Sequence, residues 1–88
     1  MKRGMKIDPN DTVGVVLEDV VIGEILDFNG ESIIARSAIT MPHKIALQDI
    51  AQGQEVFKYG EVIGYATQPI QKGEHVHVHN LDSEKLMK

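Results

Sequence analysis

Three histidines occupy alternate positions near one end of the chain, at His75, His77 and His79, with a valine between each pair. Because successive side chains of a β-strand point to opposite faces, a strand over residues 75–80 would turn both valines toward a core and all three imidazoles the other way. Imidazole titrates near neutral pH and is the commonest metal ligand, so the row is a candidate for metal binding or proton transfer. A strand rises about 3.3 Å per residue, so an adjacent pair, rather than all three, is expected to share one ion. A solvent-facing strand whose histidines have no function fits the row equally well.

A second group of reactive side chains lies earlier in the chain. His43 and Lys44 follow Pro42 in a segment predicted to be a loop, because proline discourages strand continuation. A histidine beside a cation could complete a site for an anionic substrate, although such pairs are also common on protein surfaces. Tyr59 and Glu61 are candidate acid/base groups. The alternative is that Glu61 is a solvated residue at the end of a strand.

Composition limits the class of protein. The 88 residues are 42% hydrophobic, contain no tryptophan or cysteine, and carry a formal net charge of −4. A chain of this length forms one small domain, here residues 1–88, whose modest core favours association with itself or a partner. Negative charge without a basic face argues against nucleic acid or an acidic membrane surface as the partner. No apolar leader or membrane-length segment is visible, and we expect a cytoplasmic protein without disulfides or thiolate sites.

Short strands bounded by glycine turns dominate the pattern along the chain. An apolar residue followed three positions later by glycine recurs at Gly23, Gly53 and Gly73, which predicts one local turn used three times. Asn29-Gly30 predicts a two-residue hairpin, because both residues tolerate the left-handed conformation. The strand candidates cover residues 12–17, 24–28, 32–37, 55–58, 62–66 and 75–80, so an all-β domain is predicted.

The remaining segments are expected to be less regular. One or two short helical turns are predicted over residues 43–49 and just before Gly53, where no strand pattern is visible. Residues 1–11 are expected to form a flexible N-terminus, and residues 82–88 a tail.

The order and spacing of residues over 43–80 closely resemble the N-terminal SAF domain of the altronate dehydratase family, which also includes galactarate dehydratase and the two-subunit sulfolactate sulfo-lyase. This resemblance implies a small β-clip fold and a role in lyases that eliminate water or sulfite from carboxylates bearing an α-hydroxyl. The resemblance is carried by Lys44-Ile45-Ala46-Leu47, Asp49-Ile50, Gly53, Lys58-Tyr59-Gly60-Glu61-Val62-Ile63-Gly64, Gly73-Glu74-His75-Val76-His77 and His79-Asn80.

The large domain that follows in altronate dehydratase has no counterpart in these 88 residues. We therefore expect a small subunit of a sugar-acid dehydratase or related lyase that is inactive alone and is completed by a large subunit. The resemblance implies a divalent metal, iron or manganese, shared with that partner and held by an adjacent pair among His75, His77 and His79. The alternatives are a non-catalytic module that binds a sugar acid or other anion, and an oligomerisation domain. The expected catalytic residues are His75, His77, His43 and Lys44, and the expected substrate-binding residues are Lys58, Tyr59, Glu61 and Asn80.

Overall fold

Nine short strands in two sheets make up the computed structural model, which describes residues 1–82. The larger sheet has the order β4-β3-β1-β2-β5-β8, and the smaller has the order β6-β7-β9. The strands are β1 Lys2–Met5, β2 Val13–Val16, β3 Ile25–Phe28, β4 Glu31–Ile34, β5 Lys44–Ala46, β6 Glu55–Lys58, β7 Glu61–Ala66, β8 His75–Val76 and β9 Leu81–Asp82. The all-β class is confirmed, and its short strands fit a small β-clip domain.

The predicted helical turns are wrong. Within residues 1–82 the structure contains no helix, and the segment expected to be helical after His43 instead forms β5, which pairs with both β2 and β8. Two neighbouring strands satisfy the backbone hydrogen bonds of β5, so the segment gains nothing from a helical turn. None of the described residues belongs to a helix capable of crossing a membrane.

The expectation of a flexible N-terminus over residues 1–11 is also corrected. Strand β1 lies inside the larger sheet, antiparallel to β2 and parallel to β3. Farther along, the carboxylate of buried Asp11 accepts hydrogen bonds from the backbone N–H groups of Asp8 at 3.1 Å and Gly60 at 2.8 Å. The polar sequence of this segment did not indicate that it is ordered, because its contacts are made mainly through backbone groups.

The predicted glycine turn is confirmed at all three positions, with φ of 94° at Gly23, 83° at Gly53 and 93° at Gly73. In each turn the residue after glycine closes the loop, its side-chain oxygen accepting a hydrogen bond from the backbone N–H three residues earlier. A fourth copy, over residues 39–43, has proline in place of glycine and was not predicted. There the His43 N–H donates to the Thr40 carbonyl at 2.8 Å. The Glu24 N–H makes the equivalent hydrogen bond to a backbone carbonyl in the turn at Gly23.

Bridges between turns organise the two halves of the chain. Val20 bridges Ile39, and Ile50 bridges Ile70, so each half consists of a turn, a hairpin and a second turn. The hairpin at Asn29-Gly30 is confirmed by positive φ at both residues, and the second half carries an equivalent hairpin at residues 59–60. Strands β5 and β8 join the halves, and the buried apolar side chains, mainly valine and isoleucine, form two clusters, one largely in each half.

Candidate functional site

Three imidazoles from two distant parts of the chain meet where β5 and β8 pair. Nδ1 of His43 lies 2.8 Å from Nε2 of His75, although the two residues are 32 positions apart. The ring centroids of His43 and His77 are 4.3 Å apart, and those of His75 and His77 are 5.6 Å apart, with all three rings stacked. All three side chains are half-buried. The structure therefore brings together three of the four predicted catalytic residues in one cluster.

Local hydrogen bonds position each ring of this histidine cluster. His43 closes the fourth turn immediately before β5, while the backbone N–H of His75 donates to the Ser37 hydroxyl at 3.2 Å. The backbone N–H of His77 donates to the Asn80 side-chain oxygen at 3.0 Å, and the Asn80 amide donates to the His75 carbonyl at 2.8 Å. Asn80, expected to bind substrate, is buried and instead holds the turn that carries His77.

The prediction of one continuous strand over residues 75–80 is wrong. Strand β8 ends at Val76, and the chain turns back so that the N–H of Asn80 donates to the His77 carbonyl at 3.1 Å. Val76 is fully buried as expected, but Val78 is 82% exposed. The alternating pattern applies only while the backbone stays extended, so it describes the first two residues and fails beyond them.

The environment of the cluster lowers the pKa of His75 and of His77, which favours their neutral forms. Loss of hydration is the largest cause that lowers the pKa of His75, followed by the charges of His43, His79, His77 and Lys44. The pKa of His77 is lowered by the same kinds of contact, desolvation first and then the charges of His43, Lys44 and His79. Because one ring nitrogen must donate and the other accept across the short contact, at least one ring of the His43–His75 pair carries a neutral acceptor. Neutral imidazole is the form that binds a metal or accepts a proton.

The geometry offers a three-nitrogen set for a metal ion, in which His43 joins His75 and His77, one of the two adjacent pairs considered from the sequence. One ring nitrogen from each of His43, His75 and His77 lies within 4.8 Å of the others. Three protein ligands with an open position are the usual arrangement of a catalytic metal site, so the donor set fits a divalent transition metal after small side-chain movements. His79 is exposed, its ring is tilted by 41° against that of His75, and it does not belong to this set.

A cleft beside the cluster contains two of the predicted cationic residues. Lys44 and Lys58 line it together with His77, and its volume is about 320 Å³. Burial lowers the pKa of Lys44, and the positive charge of Lys58 lowers it further. The ammonium group of Lys58 lies 4.6 Å from the centre of the Tyr59 ring.

Tyr59 and Glu61 are placed differently from the cationic pair. Tyr59 is a central residue of the β6–β7 hairpin, where its φ of 58° shows that it serves the turn, and its side chain is half exposed. Glu61 is the exposed first residue of β7. Neither is among the residues that line the cleft or form the histidine cluster, and their substrate contacts stay a prediction.

This arrangement can be compared with known proteins. Residues 2–84 match the family of domains described as the altronate/galactarate dehydratase SAF domain. The chain belongs to this SAF domain family. The resemblance seen in the sequence is therefore confirmed.

The relatives of this SAF domain fall into two groups by length. The chain is 46% identical over 80 residues to altronate dehydratase of Bacillus subtilis and 42% identical over 76 residues to that of Escherichia coli. These matches cover 91% and 86% of this chain but only 16% and 15% of the relatives, so the chain spans about a sixth of their length. It is also 38% identical over 85 residues to (2R)-sulfolactate sulfo-lyase subunit alpha of Chromohalobacter salexigens, covering 89% of this chain and 90% of that subunit.

One residue that positions the cluster, Ser37, was not predicted from the sequence. Ser37 carried no visible signal, because its partner is a backbone N–H brought close only by folding. The position of His43 had a signal in the recurring spacing of apolar and turn residues, but the proline at position 42 concealed the fourth copy.

Proposed function

We propose that this chain is the SAF component of a lyase that acts on hydroxycarboxylates, and that it contributes His43, His75 and His77 to a site completed by a large partner domain or subunit. The observation that carries the proposal is the convergence of three half-buried imidazoles beside a cleft lined by Lys44 and Lys58. Membership of the SAF family supports the reaction class, and the near-complete coverage of a sulfo-lyase subunit alpha supports the small-subunit role.

The chemistry of the residues suits part of an elimination next to a carboxylate. That reaction needs a base for the α-proton, positive charge to stabilise the enolate-like intermediate and an acid for the leaving group. His75 and His77, whose pKa values are lowered, are neutral near pH 7 and able to accept a proton or ligate a metal. A divalent iron or manganese ion held by the cluster would supply Lewis-acid stabilisation of the developing charge.

The incompleteness of the site supports a partner. Among the described residues the cluster includes no carboxylate, and the histidines are only half-buried, so one side of the site faces outward. A metal site and a water-excluding substrate pocket both need further walls, which a large domain or subunit would provide.

A chimera tests the proposal. This chain would replace the SAF segment of the Bacillus subtilis altronate dehydratase, and dehydration of altronate would be measured. We expect activity in the chimera, and a loss of at least about 100-fold when His75 and His77 are both changed to glutamine, the lower range for loss of a positioned acid/base group. His79→Gln is the matched control, with activity expected to stay close to that of the chimera. Full activity in a folded double variant would contradict a catalytic role for the cluster.

The second candidate function is a non-catalytic association module, and an exposed apolar pair favours it. Ile25 and Ile34 are direct cross-strand partners on β3 and β4, and they are 42% and 60% exposed. Under this alternative, Ile25→Ser with Ile34→Ser would abolish assembly in the chimera, while the histidine variants would leave turnover unchanged.

A further inference from the structure

The cleft beside the histidine cluster has a composition suited to an anion. Its lining combines two cations and one imidazole with an apolar floor, and no acidic residue is found among the described residues that line it. The lining residues are Lys44, Lys58, Ile63, His77, Val78 and Leu81.

The two ammonium groups of this cleft lack an anionic partner within residues 1–82. The ion pair found among those residues joins Arg3 to Glu18, and neither residue lines the cleft. Lys44 and Lys58 line the same cleft, and both side chains are half-buried. Two like charges held together at a partly buried cleft destabilise the free protein, and a bound anion would offset that cost.

We propose that this cleft binds a carboxylate-type anion, the acid group of the hydroxycarboxylate substrate, through Lys44 and Lys58. The inference rests on the proposed function and adds to it the residues that recognise the substrate's charge. With the acid group between the two lysines, the neighbouring hydroxylated carbon lies on the side of His77, which lines the same cleft and belongs to the cluster. Lys44 and Lys58 therefore orient the substrate, while the imidazoles face its reacting carbon.

The cleft also has an apolar floor. Ile63 and Leu81 pack against the core cluster of the second half and present carbon surface to the cleft. Such a floor offers carbon contact to a bound ligand and leaves recognition of its charge to the two lysines.

A titration of the 88-residue chain followed by NMR of the backbone amides tests this inference. The probes are galactarate and, as the uncharged control with the same carbon skeleton, galactitol. We expect galactarate to shift the amide signals of Lys44, Lys58 and His77 with millimolar affinity, and galactitol to leave them unchanged.

Variants then separate the cleft from general surface charge. Lys44→Met and Lys58→Met should each weaken galactarate binding by at least about tenfold, because each removes a charge-assisted hydrogen bond. Lys58→Arg keeps the charge and should bind within a few-fold of the natural chain. Lys72→Met, an exposed lysine outside the cleft, is the matched control and should bind normally.

Three results would overturn the inference. These are equal shifts with galactitol, no shifts at the three cleft residues, or unchanged binding in both methionine variants. The outcome is separable from that of the proposed function. If galactarate binds through the lysines but the histidine variants do not change chimera turnover, the anion site is supported and the catalytic role of the histidines is contradicted. If the histidine variants lose turnover but the lysine variants bind galactarate normally, the catalytic role is supported and the anion site is contradicted.

Discussion

Replacing Gly73 with alanine should destabilise the domain far more than the same change in an equivalent turn. Gly73 has a φ of 93°, and a Cβ built there would overlap the backbone carbonyl oxygen of Ile34. Gly53 has a φ of 83°, but a Cβ built there meets nothing within 4 Å. The two glycines share one turn type and differ in the space around them, so they form a matched pair.

The expected magnitudes follow from that difference. Alanine at Gly53 incurs only the conformational cost of a left-handed residue, about 1–2 kcal/mol. Alanine at Gly73 incurs the same cost and must also separate two backbone segments that are joined by the hydrogen bond from the Arg36 N–H to the Gly73 carbonyl, at 2.8 Å. We expect a total of about 3 kcal/mol or more, a large part of the roughly 5–15 kcal/mol that stabilises a small domain.

The measurement is urea-induced unfolding followed by far-ultraviolet circular dichroism for the natural chain and both variants. If the Gly73→Ala variant is too unstable to purify while Gly53→Ala folds, the ordering is still confirmed. Equal losses of stability in the two variants, within about 0.5 kcal/mol, would refute the reasoning, because the close approach to Ile34 would then have no energetic weight.

Three further predictions concern the histidine cluster. Because the pKa values of His75 and His77 are lowered in the folded state, their contribution to stability is present above the unfolded value of 6.5 and is lost as the pH falls through the folded values. Thermal melts of the natural chain should therefore drop more steeply between about pH 7 and pH 5 than those of the variant with glutamine at both positions, and parallel curves would contradict this. Asn80→Ala should cost about 2–3 kcal/mol, since it removes two buried hydrogen bonds, and Asn10→Ala, at an exposed site, is its control in urea unfolding. Mn²⁺ affinity, measured by electron paramagnetic resonance, should fall at least about tenfold in His43→Gln and remain nearly unchanged in His79→Gln, while the opposite order would favour the His77–His79 pair that the strand pattern also allowed.

Features that depend on neighbouring residues in the chain could be predicted from the sequence alone. The left-handed conformation at Asn29-Gly30 and at the glycine turns follows from the residues at those positions, because few other residues adopt it at low cost. The short apolar runs between these turns are too brief for helices and rich in β-branched residues, so the strands of both hairpins were found near their true positions. His75 and His77 could likewise be identified as site candidates, since only one residue separates the two imidazoles along the chain.

Tertiary structure alone decided which groups complete the site. His43 joins the cluster because β5 pairs with β8, a contact between segments about thirty residues apart that no local pattern encodes. His79 lies outside the cluster because the chain turns after Val76. That turn depends on the hydrogen bonds of the Asn80 side chain to the His75 carbonyl and the His77 N–H in the folded domain. Local residue types set the turns and the alternation of side chains, whereas the packing of the two halves against each other selects which imidazoles and lysines face one another.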